Sequence, residues 1–139
     1  MNTKHYVSLE VAKMLKEKGY NEECSHVIWD NGDIFYEYNL NQDIEHMYKF
    51  SCQSLLEAMD WLEERGIHIE IRMMHCKVKG DPYKIAPDDE YQWKWYFAIC
   101  KDDDVEHPIV EDGEDGYVVM HSDKNECMNA AVKKGVELL

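Results

Sequence analysis

Three segments space their apolar residues about three to four positions apart, as the buried face of an amphipathic helix requires. The first runs from Leu9 to Lys18, the second begins at Ser54 with a capping box that includes Glu57, and the third follows Asp123. Ser8 is placed to cap the first helix, and a glycine follows each of the first two segments where a helix would end. The sequence therefore predicts three helices.

Between these helices the apolar period changes to two, which is typical of half-buried strands. Two short runs flank Asn31-Gly32, a dipeptide that favours the type I′ turn of a hairpin. A later run alternates large apolar residues, and we expect its Trp93 and Trp95 to lie in the core and not on a base-stacking surface. The predicted strands are Cys24 to Trp29, Ile34 to Tyr38, Ile67 to Met73, Gln92 to Cys100 and Tyr117 to His121.

Three polar segments are predicted to be irregular. Asn39 to Lys49 has no apolar period, and Lys79 to Glu90 contains one glycine and two prolines, which favour a loop. Asp102 to Gly116 holds eight acidic residues and no lysine or arginine. Because like charges repel one another, we expect this acidic segment to be an exposed, mobile loop.

The order of these elements predicts one α+β domain covering residues 1–139. Short connections force neighbouring strands to run antiparallel, so we expect a single two-layer domain. Its mostly antiparallel sheet would have about four to five strands, with the three helices packed on one face. A shift of 47 residues also brings Leu15 and Gly19 onto Leu62 and Gly66. This match indicates a degenerate repeat of a helix followed by strands, or simply the capping pattern that helices share.

The chain is strongly acidic, with 29 Asp and Glu against 15 Lys and Arg and a formal net charge of −14. Such a surface repels phosphates, so direct binding to nucleic acid or to an anionic membrane is disfavoured. The same charge permits a different function, in which an acidic inhibitor mimics nucleic acid and occupies a basic nucleic-acid-binding protein. A hydrophobic content of 45% excludes a wholly disordered chain.

The cysteines and histidines form no recognisable catalytic or metal-binding motif. Five cysteines are scattered without a C-x-x-C pair, and this odd count predicts reduced thiols and no disulfide. Together with an N-terminus that has no apolar stretch, they predict a cytoplasmic protein. We predict no catalytic residue, metal or cofactor. The close pairs Cys24/His26 and His75/Cys76 leave a thiol- or histidine-dependent enzyme, or a metal-binding protein, open as the alternative.

Three stretches of the chain, Ser8 to Tyr20, Leu55 to Glu70 and Ala130 to Leu139, carry a family resemblance. They are similar to short proteins of unknown function from phages, prophages and gut Bacteroides-type genomes. The shared features are helix caps and core stripes, which indicate kinship and not chemistry. The resemblance implies an origin on a mobile element, cytoplasmic residence and a role as an accessory protein that binds another protein.

The leading hypothesis is therefore a non-enzymatic accessory or protein-interaction module. Its polar residues are spread over surfaces and do not gather into one convergent set, as an active site requires. The partner is expected to be a protein. A basic protein is one option, and association with a second copy of the chain is also open. The residues expected to bind a basic partner are Asp102, Asp103, Asp104, Asp112 and Asp115.

Overall fold

The backbone of residues 3–22, 24–39 and 49–139 is described by a computed structural model. A single 3-10 turn, Thr3–His5, precedes the first helix. The helices are α1 Leu9–Glu17, α2 Leu55–Glu63 and α3 Lys124–Glu137. The strands are β1 Cys24–Trp29, β2 Ile34–Asn39, β3 Lys49–Cys52, β4 Ile67–Lys79, β5 Glu90–Lys101 and β6 Asp104–Val110. The α+β class and the three helices are confirmed. The predicted irregular stretch after Asn39 lies outside the described residues as far as residue 48.

Each helix begins at the capping residue that the sequence indicated. The Ser8 side chain accepts a hydrogen bond from the Val11 amide, and Asp123 accepts from two amides of the first turn of α3. At α2 both halves of the capping box are present, since Ser54 accepts from the Glu57 amide and the Glu57 carboxylate accepts from the Ser54 amide. These bonds satisfy amides that have no partner within the helix.

The strands form two sheets, so the prediction of a single sheet of four to five strands is wrong. One antiparallel sheet has the order β2-β1-β3 and the other the order β4-β5-β6. The reason lies in β3, a strand of only four residues that follows a polar stretch and pairs along the second edge of β1. The first sheet thus has three strands before α2 begins, and the later strands pair among themselves instead of adding to its outer edges. The helices consequently do not share one face of one sheet.

The hairpin between β1 and β2 is confirmed, but its turn is not of type I′. That turn needs positive φ at both central residues, and among the described residues only glycines have positive φ. Gly32 has φ of 91°, whereas Asn31 uses its side-chain oxygen to accept from the Asp33 amide at 3.0 Å. The asparagine therefore acts through an Asx turn and not through a left-handed backbone.

The acidic segment contains a strand, so the prediction of a loop from Asp102 to Gly116 is wrong. Strand β6 occupies its centre and pairs with the free edge of β5, while its acidic side chains remain exposed to water. The predicted strand from Tyr117 to His121 is also wrong, since that stretch makes only isolated bridges at Val118 and His121. Backbone pairing with β5 thus decides the structure here, and charge repulsion between side chains does not prevent it.

One hydrophobic core joins both sheets through the helices. Helix α1 packs on β1 and β3, α2 packs on β4, and α3 contacts α1, α2, β4 and β5. Leu15, Leu62 and Phe97 are fully buried in this core, while Ile69 and Trp95 are partly buried against the same cluster. A helix followed by three strands does occur twice, but the strand orders differ, so the two halves do not repeat one topology. Within the described part of the chain, no helix is both long and apolar enough to cross a membrane.

Candidate interaction surfaces

Strands β4 and β5 extend well beyond the core as a two-stranded ribbon. Their pairing continues from the Ile67–Lys101 pair to the Lys79–Glu90 pair. Helix α3, with 14 residues, is about 21 Å long, whereas the 13 residues of β4 span about 43 Å. One helix cannot cover such a strand. We call the outer part of this ribbon, residues 73–95 with their connecting loop, the arm.

The arm continues the apolar face of the sheet after the helix cover ends. Residues directly opposite each other share a face, and Met73 faces Trp95, His75 faces Trp93 and Lys77 faces Tyr91. The His75 ring stacks on Trp93 with ring centroids 4.6 Å apart. On the same face Phe97 is 1% exposed but Trp93 is 54% exposed. The prediction that Trp93 belongs to the core is therefore wrong, because its strand extends past the covering helix.

Lys77 joins several parts of the loop that connects the two strands of the arm, residues 80–89, which we call the tip. The ammonium group of Lys77 lies 2.9 Å from a carboxylate oxygen of Asp89 and also donates to the backbone carbonyls of Asp81 and Lys84. The Asp89 side chain is only 3% exposed. The Ala86 amide and Lys77, which both donate to Asp89, lower the pKa of its carboxyl. The predicted loop between the strands is confirmed, and these bonds organise it.

The outside of this ordered tip presents two large apolar side chains to solvent. Tyr83 is 93% exposed and Ile85 is 94% exposed. Gly80, at the start of the tip, has φ of 117°, and a Cβ there would overlap the Asp89 carboxylate. A glycine is therefore needed at this position, so the tip is built by sequence as well as by its charged pair.

The five aspartates predicted to bind a basic partner do not form one surface. Asp102 and Asp103 lie in the turn between β5 and β6, and Asp104 is the first residue of β6. Asp112 and Asp115 follow the other end of that strand, and its seven residues span about 23 Å. Two separate acidic groups are thus present. Two of these carboxylates already have partners, since a hydrogen bond joins His68 to Asp102 and another joins His107 to Asp104.

Cys100, His68 and Asp102 superficially resemble the active site of a thiol enzyme. The β4–β5 register places Cys100 opposite His68, and the Nε2 atom of His68 lies 2.5 Å from Asp102. However, among the described residues no hydrogen bond joins Cys100 to His68, and the cavities beside His68 and Asp102 do not include Cys100. A nucleophile has to be activated by its base through direct contact. The arrangement is therefore a cross-strand neighbourhood and not a catalytic triad.

Three of the remaining thiols are unsuited to nucleophilic chemistry. Burial raises the pKa of Cys24 to about 11, that of Cys52 to about 12 and that of Cys127 to about 11. Each of these three cysteines is buried and stays protonated at neutral pH. In the part of the chain that the structure describes, no three His, Cys, Asp or Glu side chains converge to hold a metal ion. The members of the two close Cys/His pairs have other contacts. Cys24 donates a hydrogen bond to the Tyr20 hydroxyl, and the His75 ring stacks on Trp93.

A half-open cavity of about 430 Å³ lies between the N-termini of α2 and α3. Its walls are mostly apolar and include His5, Leu56, Lys124 and Met128. The amides that a helix N-terminus could offer to an anion are partly occupied here, because Ser54 and Asp123 cap the two helices. The cavity therefore brings no catalytic set together.

Sequence reasoning identified both strands of the ribbon and the loop, but not the arm. The signal that could have revealed it is length: the apolar alternation of two paired strands runs further than any helix in the chain can cover. Comparison of the chain with protein-family models, with curated proteins and with solved structures found no match in any of the three. What can be inferred about function therefore rests on the residues of this chain alone.

Proposed function

We propose that this chain is a non-enzymatic protein-interaction module that holds its partner through the arm. The observation that carries the proposal is the aromatic face around Trp93, which continues the core face without a cover. Contiguous exposed apolar surface marks interaction sites in proteins, and Trp, Tyr and Met are enriched in interfaces. The Lys77–Asp89 pair orders the tip before binding, which lowers the entropy lost when a partner docks.

An accessory role on a mobile element, as the sequence resemblance implies, and residence in the reducing cytoplasm belong to the same proposal. The state of the thiols supports it, since three of the five are buried with raised pKa values and act as small apolar core residues. A thiol enzyme would need an exposed thiol with a lowered pKa.

Docking of a basic partner on the acidic turn of residues 102–104 is the second candidate. It is supported by the exposure of Asp103 and Asp104 at the end of a hairpin. A mimic of nucleic acid needs a continuous row of charges, and the separation of Asp112 and Asp115 from this turn gives no such row. The arm is therefore the better supported docking surface.

Capture experiments with matched variants test the proposal. Tagged wild-type protein, Trp93→Ser and Phe35→Ser are each used to capture bound proteins from cells, and untagged copies of the chain itself are counted among them. Phe35 is a suitable control because it is 51% exposed, close to the value for Trp93, but lies on the other sheet.

We expect Phe35→Ser to retain the partner of the wild type, and Trp93→Ser to lose it by about tenfold or more, as a central aromatic anchor does. Equal capture by all three proteins would contradict the arm as the docking surface. In that case a triple variant, Asp102→Asn with Asp103→Asn and Asp104→Asn, tests the second candidate. Its loss of a salt-sensitive partner would establish the acidic turn as the site.

A further inference from the structure

The charge on the arm differs from that on the rest of the chain. Residues 73–95 contain four lysines and four acidic residues, so the formal charge of the arm is zero and the whole net charge of −14 lies elsewhere. We call everything outside the arm the body. A strongly basic partner would be drawn to the body, and a nucleic acid would be repelled by it. Electrostatic attraction therefore favours neither of these two partners on the neutral aromatic arm.

From this asymmetry we infer that the occupant of the arm is a second copy of this chain, packed arm to arm about a twofold axis. The inference rests on the proposed function and names its partner. A twofold contact requires a surface that is complementary to itself. The stacked face of Met73, His75, Tyr91 and Trp93 meets this requirement, because aromatic and thioether groups pack well against their own kind.

The length of the arm also makes this arrangement compatible with the charge of the bodies. From the Met73–Trp95 pair to the Lys79–Glu90 pair the ribbon extends about 20 Å. Two arms packed face to face in antiparallel orientation place the acidic bodies at opposite ends. That separation exceeds the Debye length of about 8 Å at physiological salt, so repulsion between the bodies is weakened but not abolished.

The apolar area on the arm is sufficient for a modest dimer. Scaled by their exposed fractions, Met73, Tyr91 and Trp93 present roughly 300 Å² on this face, and Tyr83 and Ile85 add roughly 350 Å² at the tip. A standard interface buries about 800 Å² on each partner, so a dimer near the lower end of the stable range has to bury both the face and the two tip residues. We therefore expect a reversible dimer that dissociates at micromolar concentrations.

The test is sedimentation velocity on the purified full chain from about 1 to about 200 μM, the range in which a contact of this size dissociates. It is run at physiological salt and at about 1 M salt, where the Debye length falls to about 3 Å. Three variants are compared with the wild type: Trp93→Glu, Met73→Glu and, as the control, Phe35→Glu, which adds the same charge to a similarly exposed side chain on the other sheet. Circular dichroism establishes that each variant is folded.

We expect a wild-type dimer that becomes tighter at high salt, because body repulsion is screened while the apolar contact persists. Either arm variant should weaken it about tenfold or more, and the control should leave it unchanged. A wild-type chain that stays monomeric at the highest concentration in both salts overturns the second copy as partner. So does a dimer that high salt dissociates, or one that the control weakens equally. Each of these results leaves the proposed function to be decided by the capture experiment, in which the arm can still hold a different protein.

Discussion

Helix α3 packs closely against α2 and β4 at Gly135, and replacing this glycine tests how tightly the core is fitted. A Cβ at this position of α3 would lie 2.9 Å from the Cδ1 atom of Leu62 and 3.2 Å from the Cγ2 atom of Ile67. Leu62 has no exposed surface, so its side chain cannot swing out into water. Two effects of Gly135→Ala therefore oppose each other. Alanine is a better helix former by about 1 kcal/mol, and overpacking a core costs about 1–3 kcal/mol.

We expect the overlap to dominate, so that Gly135→Ala lowers the free energy of unfolding by about 1 kcal/mol. The sign should reverse when Leu62 is shortened. Leu62→Ala alone costs about 2–5 kcal/mol, but it removes the atom that obstructs residue 135. In that background Gly135→Ala should stabilise the protein by about 1 kcal/mol, which gives a coupling energy of about 2 kcal/mol between the two sites.

The four proteins of this cycle are unfolded with urea and followed by far-UV circular dichroism and tryptophan fluorescence, and linear extrapolation gives each free energy. Comparison of Lys134→Gly with Lys134→Ala, at the neighbouring position on α3, measures the helix-propensity term without the overlap. A stabilising Gly135→Ala in the wild-type background would refute the overlap argument. An equal effect in both backgrounds would show that Leu62 is not the obstructing group.

Three further predictions concern single side chains. Neither polar atom of the buried Gln53 side chain has a hydrogen-bond partner among the described residues. Gln53→Met should therefore raise the free energy of unfolding by about 1–3 kcal/mol. The control Gln92→Met, at an exposed position, should change this free energy little. Cys76 and Cys100 should react quickly with a thiol reagent, whereas the three buried thiols should react only on unfolding. Because burial raises the pKa values of these three, the unfolded chain loses its thiol protons first as the pH rises above about 9. The free energy of unfolding should therefore fall steadily towards pH 11, and the fall should be shallower in Cys52→Ala. Equal reactivity of all five thiols would contradict the buried assignments. Asp89→Asn removes the negative charge that pairs with Lys77. This variant should be cleaved faster by trypsin after Lys84, while its melting temperature stays the same. An unchanged cleavage rate would show that the Lys77–Asp89 pair does not hold the tip.

The features that the sequence predicted correctly are those that act within one turn of chain. Ser54 and Glu57 satisfy each other's amides wherever the helix is placed, so their pattern alone was sufficient. The tight turn around Gly32 is local in the same way. Its type was predicted wrongly because Asn31 can satisfy the turn through either its side chain or its backbone, and the sequence does not distinguish these two solutions.

The features that were missed depend on which strand edges are free. Strand β3 has only four residues, too few for its alternation to stand out from the polar stretch before it, although it pairs along the second edge of β1. Strand β6 contains acids that argue for a loop, but the unpaired edge of β5 offers backbone partners that outweigh their repulsion. Strand pairing over distance is a property of the whole fold, and single-segment patterns do not contain it.

The candidate surface lies between these two cases. The alternation of β4 was recognised as far as Met73, but the strand continues to Lys79 because it has a full-length partner in β5. Once both strands are known to be this long, the length of α3 implies that the helix leaves part of the ribbon uncovered. The bonds of Lys77 at the tip could not have been foreseen, because they join a strand residue to backbone atoms whose positions depend on the turn.

The position of α3 has a consequence for the timing of folding. The Ser8 amide, at the start of α1, donates to Asn129 of α3, and Glu10 pairs with Lys133 at 3.1 Å. At a synthesis rate of about 5–20 residues per second, roughly ten seconds separate the appearance of these two helices at the ribosome. During that interval the apolar face of α1 and the first sheet have no helix from the C-terminal side to pack against. The packing around α1 is therefore completed only after α3 has been synthesised.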